Sequence, residues 1–148
     1  IDVDSLRKKV IYVGQDEKLF SGTIRENITG NDNSDVSLEQ VLELTSLKET
    51  LTRRTRGIDT MILEGASNLS GGEKARIFLA RALYKNPDIL VIDETLSSVS
   101  EQMEDDIITK LISIKNLTVI YITHRQKEKF FDTIIDFRKG DKYAITSK

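Results

Sequence analysis

Two carboxylates in succession follow an apolar run in the second half of the chain. Asp93 and Glu94 come directly after residues 89–92, a run apolar enough to form a buried strand. In open α/β sheets, ligands bind beyond the carboxyl ends of the strands. One carboxylate there can hold Mg²⁺ through water while its neighbour orients an attacking water. The pair predicts a hydrolytic site, although acidic residues also cap helices that follow strands.

Two further polar side chains follow apolar runs. Gln15 comes after residues 10–13, and His124 comes after residues 117–122. If these runs are parallel strands, His124 lies at the same sheet edge as the two carboxylates, where an imidazole can hydrogen-bond a phosphate or a water. The amide of Gln15 can reach a metal ion or a water. Each residue alone also fits an ordinary position without a chemical role.

A third motif, Leu69-Ser70-Gly71-Gly72-Glu73, lies where a loop becomes a helix. Unpaired N–H groups and the positive end of the helix dipole attract anions there, and two glycines let a phosphate approach the backbone. The motif predicts a phosphate site. Ser70 and Glu73 also have the spacing of a capping box, so the same residues fit a helix start without a ligand.

The elements around these motifs predict a parallel α/β sheet. Apolar residues at helical spacing begin near Ser70 and must stop before Pro87, and a second amphipathic helix covers residues 103–111. Residues 89–92 and 117–122 are expected to be fully buried strands, and strand, helix, strand in sequence implies parallel pairing. Residues 21–56 are helical in character, with a loop at residues 31–35.

The end of the chain predicts two more strands, residues 133–137 and 143–146, around a turn at Gly140 and Asp141. The chain of 148 residues contains no cysteine and one histidine, which excludes a disulfide framework and makes zinc chemistry a poor fit. A net charge of -2 gives no general attraction to nucleic acid or anionic lipid. The absence of an initiator methionine leads us to expect a piece of a larger domain.

Taken in this order, the motifs resemble the ATP-binding cassette of ABC transporters over essentially the whole chain. Gln15 is similar to the Q-loop glutamine, and residues 69–73 are similar to the signature motif. Residues 89–94 resemble the Walker B strand followed by the catalytic glutamate, and His124 resembles the H-loop histidine. The resemblance implies a P-loop NTPase-like parallel sheet, incomplete here, with an inserted α-helical subdomain.

The same resemblance implies how residues 1–148 are divided and used. Residues 20–85 would form the helical subdomain, and residues 1–19 and 86–148 would form part of the catalytic core. The implied ligands are ATP and Mg²⁺. The implied roles are catalysis for Glu94 and His124, Mg²⁺ binding for Gln15 and Asp93, and contact with nucleotide for Gln15, Ser70, Gly71, Gly72 and Asp93.

The implied partners are a second ATP-binding domain in a head-to-tail dimer and the membrane domain of the same transporter, at the cytoplasmic face of the membrane. No nucleic acid is expected. Residues 19–28 and Ala80-Arg81-Ala82-Leu83 are similar to exporters rather than importers. Residues 60–68 resemble the loop that couples the cassette to membrane helices in peptide and bacteriocin exporters. The intact protein is therefore expected to power export.

Three departures from the family pattern matter. No Gly-x-x-x-x-Gly-Lys-Ser/Thr motif occurs in the chain, so its phosphate cradle and lysine are missing. The 148 residues alone are therefore expected to bind ATP weakly or not at all and to be inactive. Without the phosphate-loop strand, the Walker B strand is expected to lose a central neighbour, which predicts marginal stability or self-association. Ser100 stands where the D-loop usually carries aspartate, and Glu73 replaces the glutamine usual in exporters.

Two alternatives stay open at this stage. Glu73 also fits the C-terminal lobe of a DNA-repair or chromosome-maintenance ATPase head of the same superfamily. That alternative leaves residues 19–28 unexplained, and the sequence contains neither a basic patch nor heptads leading into the signature helix. A non-catalytic interaction protein is the other alternative, and the presence of both Glu94 and His124 argues against it.

Overall fold

The structure is a computed structural model that describes residues 10–31, 33–138 and 142–147. Its strands are β1 (Val10–Val13), β2 (Gly22–Thr23), β3 (Met61–Ile62), β4 (Ile89–Asp93), β5 (Thr118–Ile122), β6 (Thr133–Arg138) and β7 (Lys142–Ser147). Its α-helices are α1 (Ile24–Thr29), α2 (Leu38–Leu44), α3 (Lys48–Thr52), α4 (Gly71–Tyr84) and α5 (Glu101–Ile112). Short 3₁₀ turns cover Gly57–Asp59, Glu64–Ala66, Thr95–Ser98 and Glu128–Phe130.

The main sheet has the strand order β1-β4-β5, and both pairings are parallel. Val13 lies beside Ile92, and Ile92 lies beside Tyr121 in the register. The prediction that the Walker B strand loses a central neighbour is wrong, because β4 is hydrogen-bonded on both sides. Within the part of the chain that is described, the open edges belong to β1 and β5.

The two faces of this sheet differ in burial. Leu90 and Ile92 point into a core shared with α4 and α5 and are 0% and 1% exposed. Side chains alternate along strands, so Tyr12, Ile120 and Ile122 share the opposite face. These three residues are 55%, 47% and 45% exposed, which shows that the prediction of a fully buried strand at residues 117–122 is wrong. Parallel sheets normally bury both faces under helices.

The helical part of the chain is joined to the sheet through α4. Helix α1 begins at a capping box in which Thr23 and Glu26 satisfy each other's backbone N–H groups. Arg81 of α4 donates from Nε to the carbonyl oxygen of Asn27 at 2.7 Å and from Nη2 to its side-chain oxygen at 3.0 Å. Because Asn27 is 1% exposed, this contact fixes α1 against α4 inside the core.

Helix α4 begins at the predicted capping box. The hydroxyl of Ser70 accepts from the backbone N of Glu73, and the Glu73 carboxylate accepts from the backbone N of Ser70 at 2.8 Å. Arg54 adds an ion pair to Glu73 at 2.5 Å and reaches the carbonyl oxygen of Asn68 at 3.3 Å. Burial opposes the charged form of Glu73, but the hydrogen bonds from Arg54 and Ser70 outweigh it and lower the pKa. The helix start is therefore held by a charge-assisted network.

The last strands form an antiparallel hairpin in which Ile135 lies beside Ile145. Both predicted strands are confirmed, each slightly longer than expected. The predicted turn at Gly140 and Asp141, like the features predicted for residues 1–9, falls outside the described residues. Among the helices of the described residues, none has the length and apolar character needed to cross a bilayer.

The open face of the main sheet leads us to predict that the chain self-associates. Replacing Ile120 and Ile122 together by lysine should weaken this association by about tenfold or more, because each isoleucine loses apolar burial at the contact. Light scattering coupled to size-exclusion chromatography over a range of concentrations measures it. Ile135→Lys, on the hairpin, is the matched control. A wild-type monomer with a concentration-independent melt would contradict the prediction.

The Arg54–Glu73 pair leads to a second prediction. Its side chains are 23% and 15% exposed, so Glu73→Gln should lower the free energy of unfolding by about 1 kcal/mol at neutral pH. Because the pKa of Glu73 is lowered in the folded chain, its contribution is present above the unfolded pKa and lost as pH falls through the folded pKa. The difference in the free energy of unfolding between wild type and Glu73→Gln should therefore disappear at acidic pH.

Urea unfolding at neutral and acidic pH measures this gap. The matched control is Glu49→Gln, because the Glu49–Arg53 pair has side chains that are 81% and 76% exposed and should contribute almost nothing. Equal losses of unfolding free energy from Glu73→Gln and Glu49→Gln would show that the partly buried pair stabilises the fold no more than the exposed one.

Candidate functional site

Asp93, the last residue of β4, shares the open face of the sheet with Tyr12 of β1. The register places Tyr12 beside Val91, two residues before Asp93, so both side chains point the same way. The Tyr12 hydroxyl donates to Oδ2 of Asp93 at 2.7 Å, and this bond raises the pKa of Tyr12. The sequence analysis missed Tyr12. Its alternation with Val13 along the strand was the signal that could have revealed it.

Glu94 lies at the centre of a cluster of three polar side chains. Nε2 of Gln15 donates to Oε2 of Glu94 at 2.9 Å. Nδ1 of His124 lies 3.6 Å from Oε1 of the same carboxylate. The expectation that His124 shares a sheet edge with the carboxylates is confirmed, and Gln15 joins them. The imidazole side chain is 68% exposed, so it can also reach a ligand beyond the edge.

The backbone of Glu94 is left-handed, with φ 50° and ψ 10°. For a residue with a Cβ this conformation costs about 1 kcal/mol or more, so neighbouring contacts must hold it. The N–H of Glu94 donates to the carbonyl oxygen of Ile122 at 3.0 Å, and the hydroxyl of Thr95 donates to the carbonyl oxygen of Val13 at 2.8 Å. These bonds tie the turn to both neighbouring strands and direct the carboxylate out from the sheet edge.

The glycines of the signature motif pack against the turn that follows Glu94. A Cβ added to Gly72 would lie 3.2 Å from the carbonyl oxygen of Ser98, and one added to Gly71 would lie 3.3 Å from the Ser98 Cβ. The approach is tight at Gly72, where the neighbour is backbone, and a side chain there would require the Ser98 carbonyl to shift by a few tenths of an ångström. Among the described residues, no hydrogen bond joins Ser70, Gly71 or Gly72 to Glu94. The contact of these three residues with nucleotide stays a prediction.

The donor atoms of this edge suit a magnesium ion that is shared with phosphates. Asp93, Glu94 and Gln15 offer carboxylate and amide oxygens, which are hard ligands, and Mg²⁺ usually takes one or two carboxylates together with substrate phosphates. No group of three or more His, Cys, Asp or Glu side chains that could hold a metal occurs in the described part of the chain. The oxygen donors at this edge fit an Mg²⁺ ion that is also bound by substrate phosphates.

Comparison with known proteins gives relatives of one kind. Residues 1–97 match the ABC transporter family. The chain is 37% identical over 143 residues to a putative export ATP-binding/permease protein of Rickettsia bellii, covering 95% of this chain and 25% of that protein. It is 35% identical over 128 residues to a probable microcin-H47 secretion/processing ATP-binding protein of Escherichia coli, covering 85% of this chain and 18% of that protein.

A third relative is the mitochondrial iron-sulfur clusters transporter of Oryzias latipes, 38% identical over 139 residues, with 92% of this chain and 18% of that protein covered. A solved structure of a bacterial Atm1-family ABC exporter with ATP bound is similar with a TM-score of 0.80 and 34% identity, over 89% of this chain and 24% of that chain. The chain thus spans a quarter or less of these relatives. The family match over more than half of its residues and the shared parallel α/β fold show that the chain belongs to the ABC transporter family.

Proposed function

We propose that this chain is part of the ATP-hydrolysing domain of an ABC exporter and that Glu94 is its general base. The convergence of Gln15, Glu94 and His124 at one sheet edge carries this proposal. The relatives named as export or secretion ATP-binding proteins support it. The DNA-repair or chromosome-maintenance alternative is not favoured, since the named relatives are transport proteins.

Glu94 is suited to accept a proton from an attacking water. Its side chain is 36% exposed, so water can reach it, and the amide of Gln15 donates to one carboxylate oxygen and fixes its orientation. Positioning and electrostatics dominate catalysis of phosphoryl transfer, so a carboxylate held in place by its backbone accelerates the reaction more than a mobile one. Nδ1 of His124 lies 3.6 Å from the other oxygen, and the imidazole would contact the γ-phosphate.

Asp93 and Gln15 would hold Mg²⁺ at the neighbouring position. When bound with ATP, the ion neutralises charge that develops on the phosphate oxygens. The Tyr12 hydroxyl already orients Oδ2 of Asp93, which leaves Oδ1 directed away from that bond. Ser70, Gly71 and Gly72 would bind the ATP held by a second cassette in a head-to-tail dimer, because the first-turn N–H groups of Gly71 and Gly72 lie outside the capping box formed by Ser70 and Glu73.

A membrane domain is the second proposed partner. Phe20, Met61 and Leu63 are 49%, 47% and 57% exposed and lie on or beside the β2–β3 ribbon. Large exposed apolar side chains grouped in this way mark contact surfaces. Strand β3 of the ribbon lies within residues 60–68, which resemble the coupling loop of peptide and bacteriocin exporters, and the microcin secretion relative supports that subfamily. The ATP-binding domain itself would lie at the cytoplasmic face of the membrane, and residues 20–85 would be its helical subdomain.

The general-base role predicts the effect of Glu94→Gln in the complete transporter. ATP turnover should fall by at least about 100-fold, because the amide cannot accept the proton from water. ATP binding should persist, since the substitution keeps size and hydrogen bonding. Phosphate release and equilibrium ATP binding measure the two effects. Glu128→Gln, an exposed carboxylate after His124, is the control and should be silent. Unchanged turnover in Glu94→Gln would refute the role.

A further prediction concerns the chain of 148 residues by itself. Because its sequence contains no phosphate-loop motif, it should bind Mg²⁺-ATP far more weakly than the complete ATP-binding domain of a related exporter. Isothermal titration calorimetry of both proteins under the same conditions makes the comparison. Tight ATP binding by the 148-residue chain would reveal a phosphate site elsewhere in its structure.

A further inference from the structure

Glu104 is a buried carboxylate that has no part in the chemistry described so far. It lies on α5 and is 1% exposed, in line with the fully buried Ile107, Ile108 and Leu111. A buried charge is costly unless charged and hydrogen-bonding partners surround it. The Glu104 carboxylate therefore requires such partners from neighbouring elements.

Three side chains from β5 and the segment after it surround the Glu104 carboxylate. The Tyr121 hydroxyl donates to Oε1 at 2.5 Å. Arg125 donates from Nη1 to Oε2 at 2.5 Å, and Nζ of Lys127 lies 3.2 Å from the same oxygen. Lys127 is 5% exposed and also pairs with Asp105 at 2.5 Å. Both oxygens are thus satisfied, and the charges alternate in sign.

Arg125 links Glu104 to the turn that follows Glu94. Its Nη2 donates to the carbonyl oxygen of Ser97 at 2.7 Å, and its Nη1 donates to the carbonyl oxygen of Val99 at 3.1 Å. The side chain of Ser100, where related cassettes are expected to carry aspartate, makes no capping bond to α5. The guanidinium of Arg125 is thus bonded to two carbonyl oxygens of the segment that leads into α5.

We infer that Glu104 is a positioning residue that, through Arg125, holds the turn after Glu94 at a fixed distance from His124. Arg125 follows His124 directly in the chain, so the same side chain fixes both ends of the distance. The guanidinium is suited to this because its planar fork can serve one carboxylate and two carbonyl oxygens together. The inference rests on the proposed function only in so far as Glu94 and His124 act on ATP.

The placement of His124 can be tested without any assay of ATP turnover. His124 is the one histidine of the 148 residues, so its ring gives a single set of NMR signals in this chain. Glu104→Gln should displace those signals, because Arg125 loses its charged anchor. The matched control is Asp106→Asn, on the same helix, whose partners are Lys110 and Ser46 and which should leave the His124 signals in place.

If Glu104→Gln fails to fold, Arg125→Lys provides the second variant. Lysine keeps the charge beside Glu104 but cannot span to the carbonyl oxygens of Ser97 and Val99, so the His124 signals should again move. Signals that coincide with wild type in a folded Glu104→Gln or Arg125→Lys chain would overturn the inference.

The consequence for catalysis is measured in the complete transporter. Glu104→Gln should lower kcat for ATP by about 10- to 100-fold with little change in KM, because a misplaced group costs rate rather than binding. Asp106→Asn should keep kcat near wild type. A kcat loss no larger than that of Asp106→Asn would overturn the inference. Absence of ATP turnover in the wild type would instead defeat the proposed function, and the His124 signals would still decide the positioning role.

Discussion

The parallel pairing of β1, β4 and β5 is the constraint on which the rest of the site depends. Parallel strands end at the same edge, so Gln15, Asp93 and His124 come together although 109 positions separate the first from the last in the numbering. The register then decides which side chains meet. Tyr12 reaches Asp93 because the two share a face, and a shift of one residue would send Tyr12 into the core.

The sequence predicted where the strands and helices lie along the chain better than it predicted which strands pair with one another. Runs such as residues 89–92 and the helical spacing of α4 reflect local preferences, and local preferences can be read along the chain. The place of β4 between β1 and β5 depends on pairing between distant segments, which no local pattern encodes. The open face was missed for the same reason, since an apolar run looks alike whether its second face is covered or exposed.

The candidate site shows the same division. Gln15, Asp93, Glu94 and His124 were found because each follows an apolar run, whereas the left-handed backbone of Glu94 has no signal in residue type. Glu104 did leave a signal. It stands three, four and seven residues before Ile107, Ile108 and Leu111, on the apolar stripe of α5, and a charged residue on such a stripe indicates a buried ion pair.

Two of the departures from the exporter pattern, Glu73 and Ser100, lie at or next to groups that are hydrogen-bonded by an arginine. Glu73 is paired with Arg54, and the segment that ends at Ser100 is held by Arg125. These two networks meet where Gly72 approaches the carbonyl oxygen of Ser98. Because the two backbones are so close that a Cβ on Gly72 would lie only 3.2 Å from that oxygen, a displacement of the turn after Glu94 must move the start of α4 or break the contact. The signature helix and the carboxylate edge are therefore mechanically joined through backbone atoms.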